Sequence, residues 1–291
     1  MAAQMTNTSI SATRTIVAAA GWSGKTRAMA QRAAQIAARQ GARGVLAHVY
    51  AHGLVQLLRG LPRAGQARFN RERLDELADL IHGASGFRFE VEVHAAVGGR
   101  ERALRRLVDG ASLAVFDVPQ PWSRGGAWLR AGDLGCPALV VKREPANDYR
   151  RVLVLADPPA EAAGAVAQAR ALAPEAELVL LSVLDRSVEN RLRSRGAGED
   201  VIRLALQQRR EEAYAALDGL AGDGAEVSKA VEQGHLPMLL RHTEERLGAD
   251  LLVLGRQARR GLPRYLLRDL VSEAAAGSGC DVLLLPDRAQ S

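Results

Sequence analysis

Short apolar runs alternate with longer segments of helical periodicity along the chain, a pattern typical of strands separated by helices. Five runs in the first half are predicted to be strands: Thr15–Ala19, Val45–Tyr50, Phe87–Val93, Leu113–Phe116 and Ala138–Lys142. Five runs in the second half follow the same pattern: Val152–Leu155, Leu178–Leu184, Glu226–Val231, Leu251–Leu254 and Val282–Leu285. Three helices are predicted between the first-half strands: Lys25–Gln40, Arg68–His82 and Arg100–Val108.

Most of the predicted strands consist almost entirely of Val, Leu, Ile and Ala. Strands of this kind are buried on both faces, as in a parallel sheet covered by helices. Phe87–Val93 differs because apolar and charged residues alternate along it, which predicts an edge strand. Since crossovers between parallel strands are right-handed, the whole pattern predicts doubly wound α/β domains.

The two halves of the chain resemble each other in sequence as well as in pattern. The clearest match joins Gly110–Asp117 to Gly248–Gly255, and the other similar segments follow at nearly the same spacing. A constant spacing of this kind is the signature of a tandem duplication. We therefore predict two domains, at residues 13–143 and 150–287, joined by the polar segment Arg143–Arg150.

The second half carries the clearest resemblance to a known family. Four of its segments are similar to the universal stress protein family: Val152–Asp157, Gly248–Gly255, Arg260–Leu267 and Gly279–Leu285. The resemblance extends to the first half and implies two flavodoxin-like domains of the adenine nucleotide alpha hydrolase-like type. Each would contain a parallel five-stranded sheet in the order 3-2-1-4-5. Because family domains pair through their fifth strands, Ala138–Lys142 is expected beside Val282–Leu285, with the two domains related by a pseudo-twofold axis.

Family members that bind ATP carry an Asp after the first strand and the motif G-x2-G-x9-G-[ST] after the fourth. Glycines let backbone N–H groups approach phosphates, and a helix N-terminus adds positive potential. In the second half, Asp157 and Gly255 match the Asp and the first Gly. Ala258, Arg268 and Asp269 stand at the other three positions. The resemblance therefore implies ATP or another adenine nucleotide as the candidate cofactor, bound weakly by this altered motif.

An arginine cluster follows the fourth strand of the second half and changes what this site could hold. Arg256, Arg259 and Arg260, with Gly261, come directly after Gly255. Open α/β sheets bind ligands at this end of their strands, and guanidinium groups suit phosphates and carboxylates. We interpret these residues as candidate contacts for a small anion or a nucleotide. A solvated charged loop is the alternative.

The first half lacks both family positions. Aligned by its apolar run, it has Ala20 where the family has Asp, and Asp117 where the family has the first Gly. A carboxylate at that point would repel a triphosphate if it faced the crevice. We expect the first domain to be a structural partner that binds no nucleotide.

A second phosphate-binding pattern occurs in the first half. The segment Ala19–Thr26 contains A-x4-G-K-T, a permissive form of the Walker A motif, between a predicted strand and a predicted helix. Gly24, Lys25 and Thr26 are its candidate phosphate contacts, and Asp117 would stand near a magnesium ion. The alternative is a plain helix start capped by Ser23 or Gly24.

Composition excludes several other classes of protein. The net charge of +6 comes almost entirely from arginine, and no aromatic-plus-basic motif accompanies it, so we do not expect nucleic-acid binding. Cys136 and Cys280 lie far apart, which predicts two buried, inert thiols in a reducing cytoplasm rather than a disulfide framework. His48, His52 and His94 lack completing ligands, so no metal site is predicted. No apolar run is long enough to span a membrane.

These observations favour a cytoplasmic, stress-associated protein that binds a regulatory ligand without classical catalysis, with the second domain as its binding site. One alternative is an ATP-binding protein with slow ATPase activity. Another is a basic adaptor that binds nucleic acid or an acidic partner. Pairing of the two domains within one chain leaves both a monomer and a homodimer of the whole chain open.

Overall fold

The computed structural model describes residues 14–51, 63–96, 100–117, 134–157, 162–184, 186–221, 227–255, 273 and 276–286. The first half contains five strands: β1 Thr15–Ala19, β2 Arg43–Ala51, β3 Glu90–Ala96, β4 Leu113–Asp117 and β5 Ala138–Val141. Three helices lie between them: α1 Thr26–Gln40, α2 Arg63–Ser85 and α3 Arg100–Leu107. Every strand predicted in this half is present.

The second half also contains five strands: β6 Arg151–Leu155, β7 Glu177–Leu184, β8 Val227–Gln233, β9 Leu251–Leu254 and β10 Asp281–Leu284. Its helices are α4 Ala163–Leu172, α5 Ser187–Ser194, α6 Glu199–Ala221 and α7 Leu236–Leu247. Among the strands, predicted and observed bounds differ most at β3, which begins and ends three residues later than expected. Phe87 and Phe89 instead pack edge to face, 5.0 Å apart, against β2 at Gly44, where a Cβ would collide with Phe87. Among the helices they differ most at α2, which begins five residues earlier and ends three residues later than predicted.

The ten strands form one sheet in the order β3-β2-β1-β4-β5-β10-β9-β6-β7-β8. Within each half the order is therefore the predicted 3-2-1-4-5, and neighbouring strands are parallel. The predicted pairing of the fifth strands is present, since β5 and β10 lie antiparallel with Leu139 opposite Leu283. This pairing joins the two sets of five strands into a single mixed sheet of ten strands.

Helices cover both faces of the sheet. On one face, α1, α2, α4 and α6 contribute to a core with fully buried side chains such as Met29, Leu74 and Leu217. On the other face, the core includes Leu240 of α7 and Val108, which directly follows α3. Burying each such large apolar side chain stabilises the fold by about 1.5–3 kcal/mol. The double cover explains why the strands read as continuous apolar runs.

A buried polar network joins the two halves beside the β5–β10 pair. The carboxylate of Asp281, which is 1% exposed, accepts hydrogen bonds from the backbone N–H groups of Lys142 and Arg143, at 2.8 and 3.1 Å. The Tyr149 hydroxyl donates to the same carboxylate at 2.7 Å. Arg32 of α1 lies 4.1 Å from the Tyr149 ring centroid, with Nε 3.6 Å from Asp281 Oδ2. Burial and the Asp281 charge raise the pKa of Tyr149 well above its ordinary value.

Candidate functional site

The carboxyl ends of β1 and β4, and of β6 and β9, are where a doubly wound sheet binds ligands. Backbone hydrogen bonds align these two crevices residue by residue. The Ala20 N–H donates to the carbonyl of Ala47 on β2, and the Ala156 N–H donates to the carbonyl of Leu181 on β7, both at 2.8 Å. Ala20 and Ala156 therefore hold equivalent positions at the ends of the first strands.

This register shows that an aspartate and a glycine have exchanged positions between the two halves. Gly21 is equivalent to Asp157, which corrects the sequence alignment that placed Ala20 there. On the neighbouring strands, the register of β4 on β1 and of β9 on β6 makes Asp117 equivalent to Gly255. Each crevice thus has one aspartate and one glycine, but on opposite strands. The apolar run alone could not show which residues of the two halves are equivalent, because the consecutive alanines Ala18, Ala19 and Ala20 can be aligned in more than one register.

In the first half, the carboxylate points into the loop between β1 and α1. Asp117 is fully buried and accepts from the Gly21 N–H at 2.9 Å and from the Ser23 N–H at 3.0 Å. The hydroxyls of Ser23 and Thr26 donate to it as well, at 2.9 and 2.5 Å. A Cβ on Gly21 would lie 2.5 Å from Asp117 Oδ1. The first crevice therefore holds the Asp117 carboxylate and has no space for a side chain at residue 21.

The Walker A-like residues have partners within the protein. The Lys25 ammonium donates to Glu144 Oε1 at 3.3 Å, on the surface. The Thr26 hydroxyl, which would hold magnesium in a true motif, lies 2.5 Å from Asp117 Oδ2 and 3.0 Å from the Ser23 carbonyl oxygen, so its one proton is shared between these two acceptors. Gly24 has open space around its Cβ position. The loop amides that a phosphate would need are thus partly used by Asp117.

Aromatic rings cover the same crevice of the first half. Trp22 has a φ of +59°, which is uncommon for a residue with a bulky side chain. Its ring lies 5.4 Å from the His48 ring, and the Arg73 guanidinium lies 3.9 Å from its centroid. His48 Nδ1 is 2.7 Å from the Ala20 carbonyl oxygen, so the imidazole is hydrogen-bonded to the end of β1. The first crevice is therefore filled and covered by its own side chains.

The second crevice is described only in part. Asp157 and Gly255 are both partly exposed at the ends of β6 and β9. The predicted contacts Arg256, Arg259, Arg260 and Gly261 lie outside the described residues. The structure thus brings together the two matched family positions, while the arginine cluster stays a prediction.

Sequence reasoning missed one residue of the second crevice. Ser182 of β7 is equivalent to His48, because Leu181 and Ala47 accept equivalent backbone bonds. It is 1% exposed, and its hydroxyl has no hydrogen-bond partner among the described residues. Comparing the two copies position by position could have drawn attention to the replacement of His by Ser. Only the structure reveals that the hydroxyl is unsatisfied.

The remaining candidate groups are the two cysteines and the histidines. Cys136 and Cys280 are buried free thiols, and burial raises their pKa values to about 11 and about 12, which makes them unreactive. His94 Nε2 lies 2.8 Å from Glu92 Oε2, and His52 lies outside the described residues. The described part of the chain contains no group of three or more His, Cys, Asp or Glu residues arranged for a metal ion. No described helix is long and apolar enough to cross a membrane.

Similar solved structures support the fold of the whole chain. A functionally unknown protein from Pseudomonas aeruginosa PAO1 is 17% identical, with a TM-score of 0.59 over 94% of this chain and 93% of that chain. A putative universal stress protein from Pseudomonas aeruginosa UCBPP-PA14 is 17% identical, with a TM-score of 0.58 over 94% of each chain. A universal stress protein from Archaeoglobus fulgidus DSM 4304 is 15% identical, with a TM-score of 0.59 over 94% of this chain and 96% of that chain. At these identities the likeness concerns the fold alone.

Sequence comparison assigns the second half to a family. No curated protein matches the chain. The model of the universal stress protein family matches residues 148–286, a range that contains β6 to β10 and the second crevice. The predicted resemblance is thereby confirmed for this half. Residues 148–286 form a universal stress protein domain.

Proposed function

We propose that this chain is a stress-associated protein that binds one small anionic ligand, of the nucleoside monophosphate class, in the crevice of its second half. The first half is a structural partner that binds no nucleotide. The family of the second half supports the association with stress. The contrast between the two crevices supports the division of roles.

The observation that carries the proposal is the exchange of aspartate and glycine. In the first half, Asp117 already accepts hydrogen bonds from Gly21, Ser23 and Thr26, the groups nearest to where a ligand phosphate would lie. In the second half, the residue after β9 is Gly255, which carries no side chain into the crevice. A glycine there leaves room for a ligand oxygen to approach the backbone. The second crevice therefore suits an anion supplied from outside.

The sequence after Gly255 favours a monophosphate over a triphosphate. Ala258 and Arg268 replace two glycines of the ATP motif, so fewer backbone N–H groups can surround a phosphate chain. Each lost hydrogen bond weakens binding by about 1 kcal/mol, or roughly fivefold. Arg259 and Arg260 can supply bidentate contacts to a single phosphate instead. We thus expect AMP to bind more tightly than ATP with magnesium.

The proposal extends to the organisation of the whole chain. We infer two universal stress protein domains, at residues 13–143 and 150–287, related by a pseudo-twofold axis between β5 and β10. The shared strand order of the halves and their antiparallel contact support this arrangement. We further propose a cytoplasmic protein without classical catalysis, since Lys25 and Thr26 have partners of their own in Glu144 and Asp117.

Calorimetric titration of the full chain with AMP tests the proposal. We expect one AMP per chain, weaker binding of ATP with magnesium, and loss of both in the Arg259→Ala/Arg260→Ala variant. Lys25→Ala is the matched control, because it removes a first-half cation that pairs with Glu144, and AMP affinity should be unchanged. Absence of AMP binding, or its loss in Lys25→Ala alone, would contradict the proposal. Magnesium-dependent phosphate release from ATP that Lys25→Ala abolishes would instead favour an ATPase in the first half.

A further inference from the structure

A cavity of about 190 Å³ lies between the two halves, at the opposite end of β1 and β4 from the first crevice. Arg14, which precedes β1, and Ser112, which precedes β4, form part of its wall. The second half contributes Gln168 and Leu172 of α4 and Leu283 of β10. None of its lining residues belongs to either crevice.

The lining combines an apolar surface with a single cation. Leu113, Leu172 and Leu283 are buried core residues whose side chains supply the carbon surface. Arg14 is the only charged residue of the lining, and in the described part of the chain its guanidinium has no ion-pair partner. Because Arg14 is exposed, the cavity can be reached from solvent. Arginine binds carboxylates through two parallel hydrogen bonds, so the lining suits a ligand with an apolar body and one carboxylate.

The helix end beside the cavity does not cancel the charge of Arg14. The last carbonyl groups of a helix carry partial negative charge, which disfavours an anion. Those of α4 accept hydrogen bonds from α1: the Arg39 guanidinium donates to the Leu172 carbonyl, and the Gln40 amide donates to the Ala171 carbonyl at 3.2 Å. These two bonds offset the partial charge of the α4 end, so Arg14 sets the sign of the charge in the cavity.

Backbone hydrogen bonds identify the equivalent space in the second half. The Arg14 carbonyl accepts the N–H of the first residue of β2 at 2.9 Å, and the Arg150 carbonyl accepts that of the first residue of β7 at 3.0 Å. Arg14 and Arg150 are therefore equivalent. Gln168 of α4 is equivalent to Arg32 of α1, since in this alignment every buried position of α4 falls on a buried position of α1.

A phenol ring of the chain itself fills this equivalent space. Tyr149 directly precedes Arg150, and its ring centroid lies 4.1 Å from the Arg32 guanidinium. Tyr149 is 4% exposed, and its hydroxyl donates to Asp281. A six-membered ring with one polar substituent thus fits between the residues equivalent to Arg14 and Gln168. On the other side of the junction, the cavity lies between Arg14 and Gln168 themselves.

The volume of the cavity limits the size of the ligand. An apolar protein cavity of about 150 Å³ binds benzene. At about 190 Å³, this cavity has room for the same ring with one carboxylate attached. Drug-sized ligands require about 300–1,000 Å³, so a nucleotide is too large.

We infer that the cavity between α1 and α4 binds a small aromatic monocarboxylate, with its ring against the leucines and its carboxylate on Arg14. This site goes beyond the nucleotide site of the proposed function, because it lies at the junction of the halves and does not depend on occupancy of the second crevice. A ligand there contacts both halves and stabilises their junction by binding only the folded chain.

Saturation-transfer NMR titration of the full chain with benzoate, benzamide and acetate tests the inference. Benzamide keeps the ring and lacks the charge, whereas acetate keeps the charge and lacks the ring. We expect benzoate to bind about tenfold more tightly than either, since benzamide loses the charge-assisted bonds to Arg14 and acetate loses the apolar contact. Equal affinity for benzoate and benzamide, or for benzoate and acetate, would contradict this chemistry. Absence of benzoate binding to the wild-type chain would overturn the inference.

Two substitutions locate the site. Ala171→Leu enlarges a side chain of the cavity wall and should weaken benzoate at least tenfold. Arg14→Gln removes the cation and should weaken benzoate about tenfold while leaving benzamide unchanged. Arg150→Gln is the matched control, because it removes the equivalent arginine beside the space that Tyr149 fills, and benzoate affinity should stay the same. Unfolding temperatures without ligand establish that each variant is folded. Benzoate binding that survives both Ala171→Leu and Arg14→Gln would show that it binds elsewhere.

Competition with AMP separates this inference from the proposed function. Saturating AMP should leave benzoate binding unchanged, since the two sites share no residue. Displacement of benzoate by AMP would assign benzoate to the nucleotide crevice and contradict the inference while the proposed function stands. Benzoate binding that depends on Arg14, in a chain that does not bind AMP, would support the inference and contradict the proposed function.

Discussion

The two crevices of this sheet contain the same pair of residues on exchanged strands. In the first half Gly21 follows β1 and Asp117 is the last residue of β4, and the Asp117 carboxylate is saturated by hydrogen bonds from the loop that it faces. In the second half Asp157 follows β6 and Gly255 follows β9. The carboxylate at the end of the fourth strand occupies the loop amides of the first crevice. Under the proposed function, the exchange of strands separates this self-occupied crevice from a second crevice that accepts a ligand.

The largest expected effect comes from adding a second carboxylate to the first crevice. Gly21→Asp would force a side chain against Asp117, because even a Cβ at residue 21 lies 2.5 Å from Asp117 Oδ1. We expect a loss of about 3–5 kcal/mol in the free energy of unfolding, the usual cost of an uncompensated buried charge. Urea denaturation measures it.

A double-mutant cycle sharpens this prediction. The variant Gly21→Asp/Asp117→Gly restores one carboxylate and one glycine, in the arrangement of the second half, and should recover most of the lost stability. Asp117→Gly alone should destabilise the chain, because the donors on Ser23 and Thr26 lose their acceptor. If the effects of the two single substitutions on the free energy of unfolding are strictly additive, residues 21 and 117 do not compete for the same volume.

The junction of the halves gives the next largest effect. Tyr149→Phe removes the hydrogen bond to the buried Asp281 carboxylate and should cost about 1.5–3 kcal/mol of unfolding free energy. Tyr214→Phe is a suitable control, since no hydrogen bond of that hydroxyl occurs in the described part of the chain. Equal effects of the two substitutions would contradict a specific role of Tyr149 in joining the halves.

The same tyrosine predicts a dependence on alkaline pH. The folded pKa of Tyr149 is raised above its ordinary value of 10.0, so the folded state binds this proton more tightly than the unfolded state. Its contribution to stability is complete below pH 10 and is lost as the pH rises above that value towards the folded pKa. Tyr149→Phe should therefore flatten the decline in unfolding free energy above pH 10. An identical slope in the wild type and the variant would contradict this account.

The smallest effect concerns the cover of the first crevice. Arg73→Ala removes a guanidinium that lies 3.9 Å from the Trp22 ring centroid and should cost about 0.5–1 kcal/mol. Arg71→Ala, from the same helix, removes only a surface ion pair with Asp75 and should have less effect on the unfolding free energy. A greater loss in Arg71→Ala would show that the cover of Trp22 contributes nothing to stability.

The sequence predicted the strands because continuous apolar runs are local signals, whereas the strand order was implied by the resemblance to the universal stress protein family. It could not fix the register at the end of β1, where three consecutive alanines are interchangeable in an alignment. The exchange of Gly21 and Asp157 became visible only through the backbone bonds to Ala47 and Leu181. A one-residue error of this kind changes which side chain faces the crevice.

Long-range polar contacts were beyond sequence reasoning for a different reason. Tyr149 lies in the polar segment between the halves, and Asp281 lies at the start of an apolar strand, so neither position suggested a buried pair. Ser182 is likewise an ordinary residue in a strand until its surroundings reveal a hydroxyl without a partner. The absence of a partner is a property of three-dimensional packing and leaves no pattern along the chain.

Hydrogen–deuterium exchange of the full chain with and without AMP tests the central contrast most directly. We expect AMP to slow amide exchange at the ends of β6, β7 and β9 and to leave the loop between β1 and α1 unchanged. The Gly21 and Ser23 N–H groups are already bonded to Asp117 in the absence of ligand. Ligand-dependent protection in residues 20–26, with none at the ends of β6 and β9, would contradict the account.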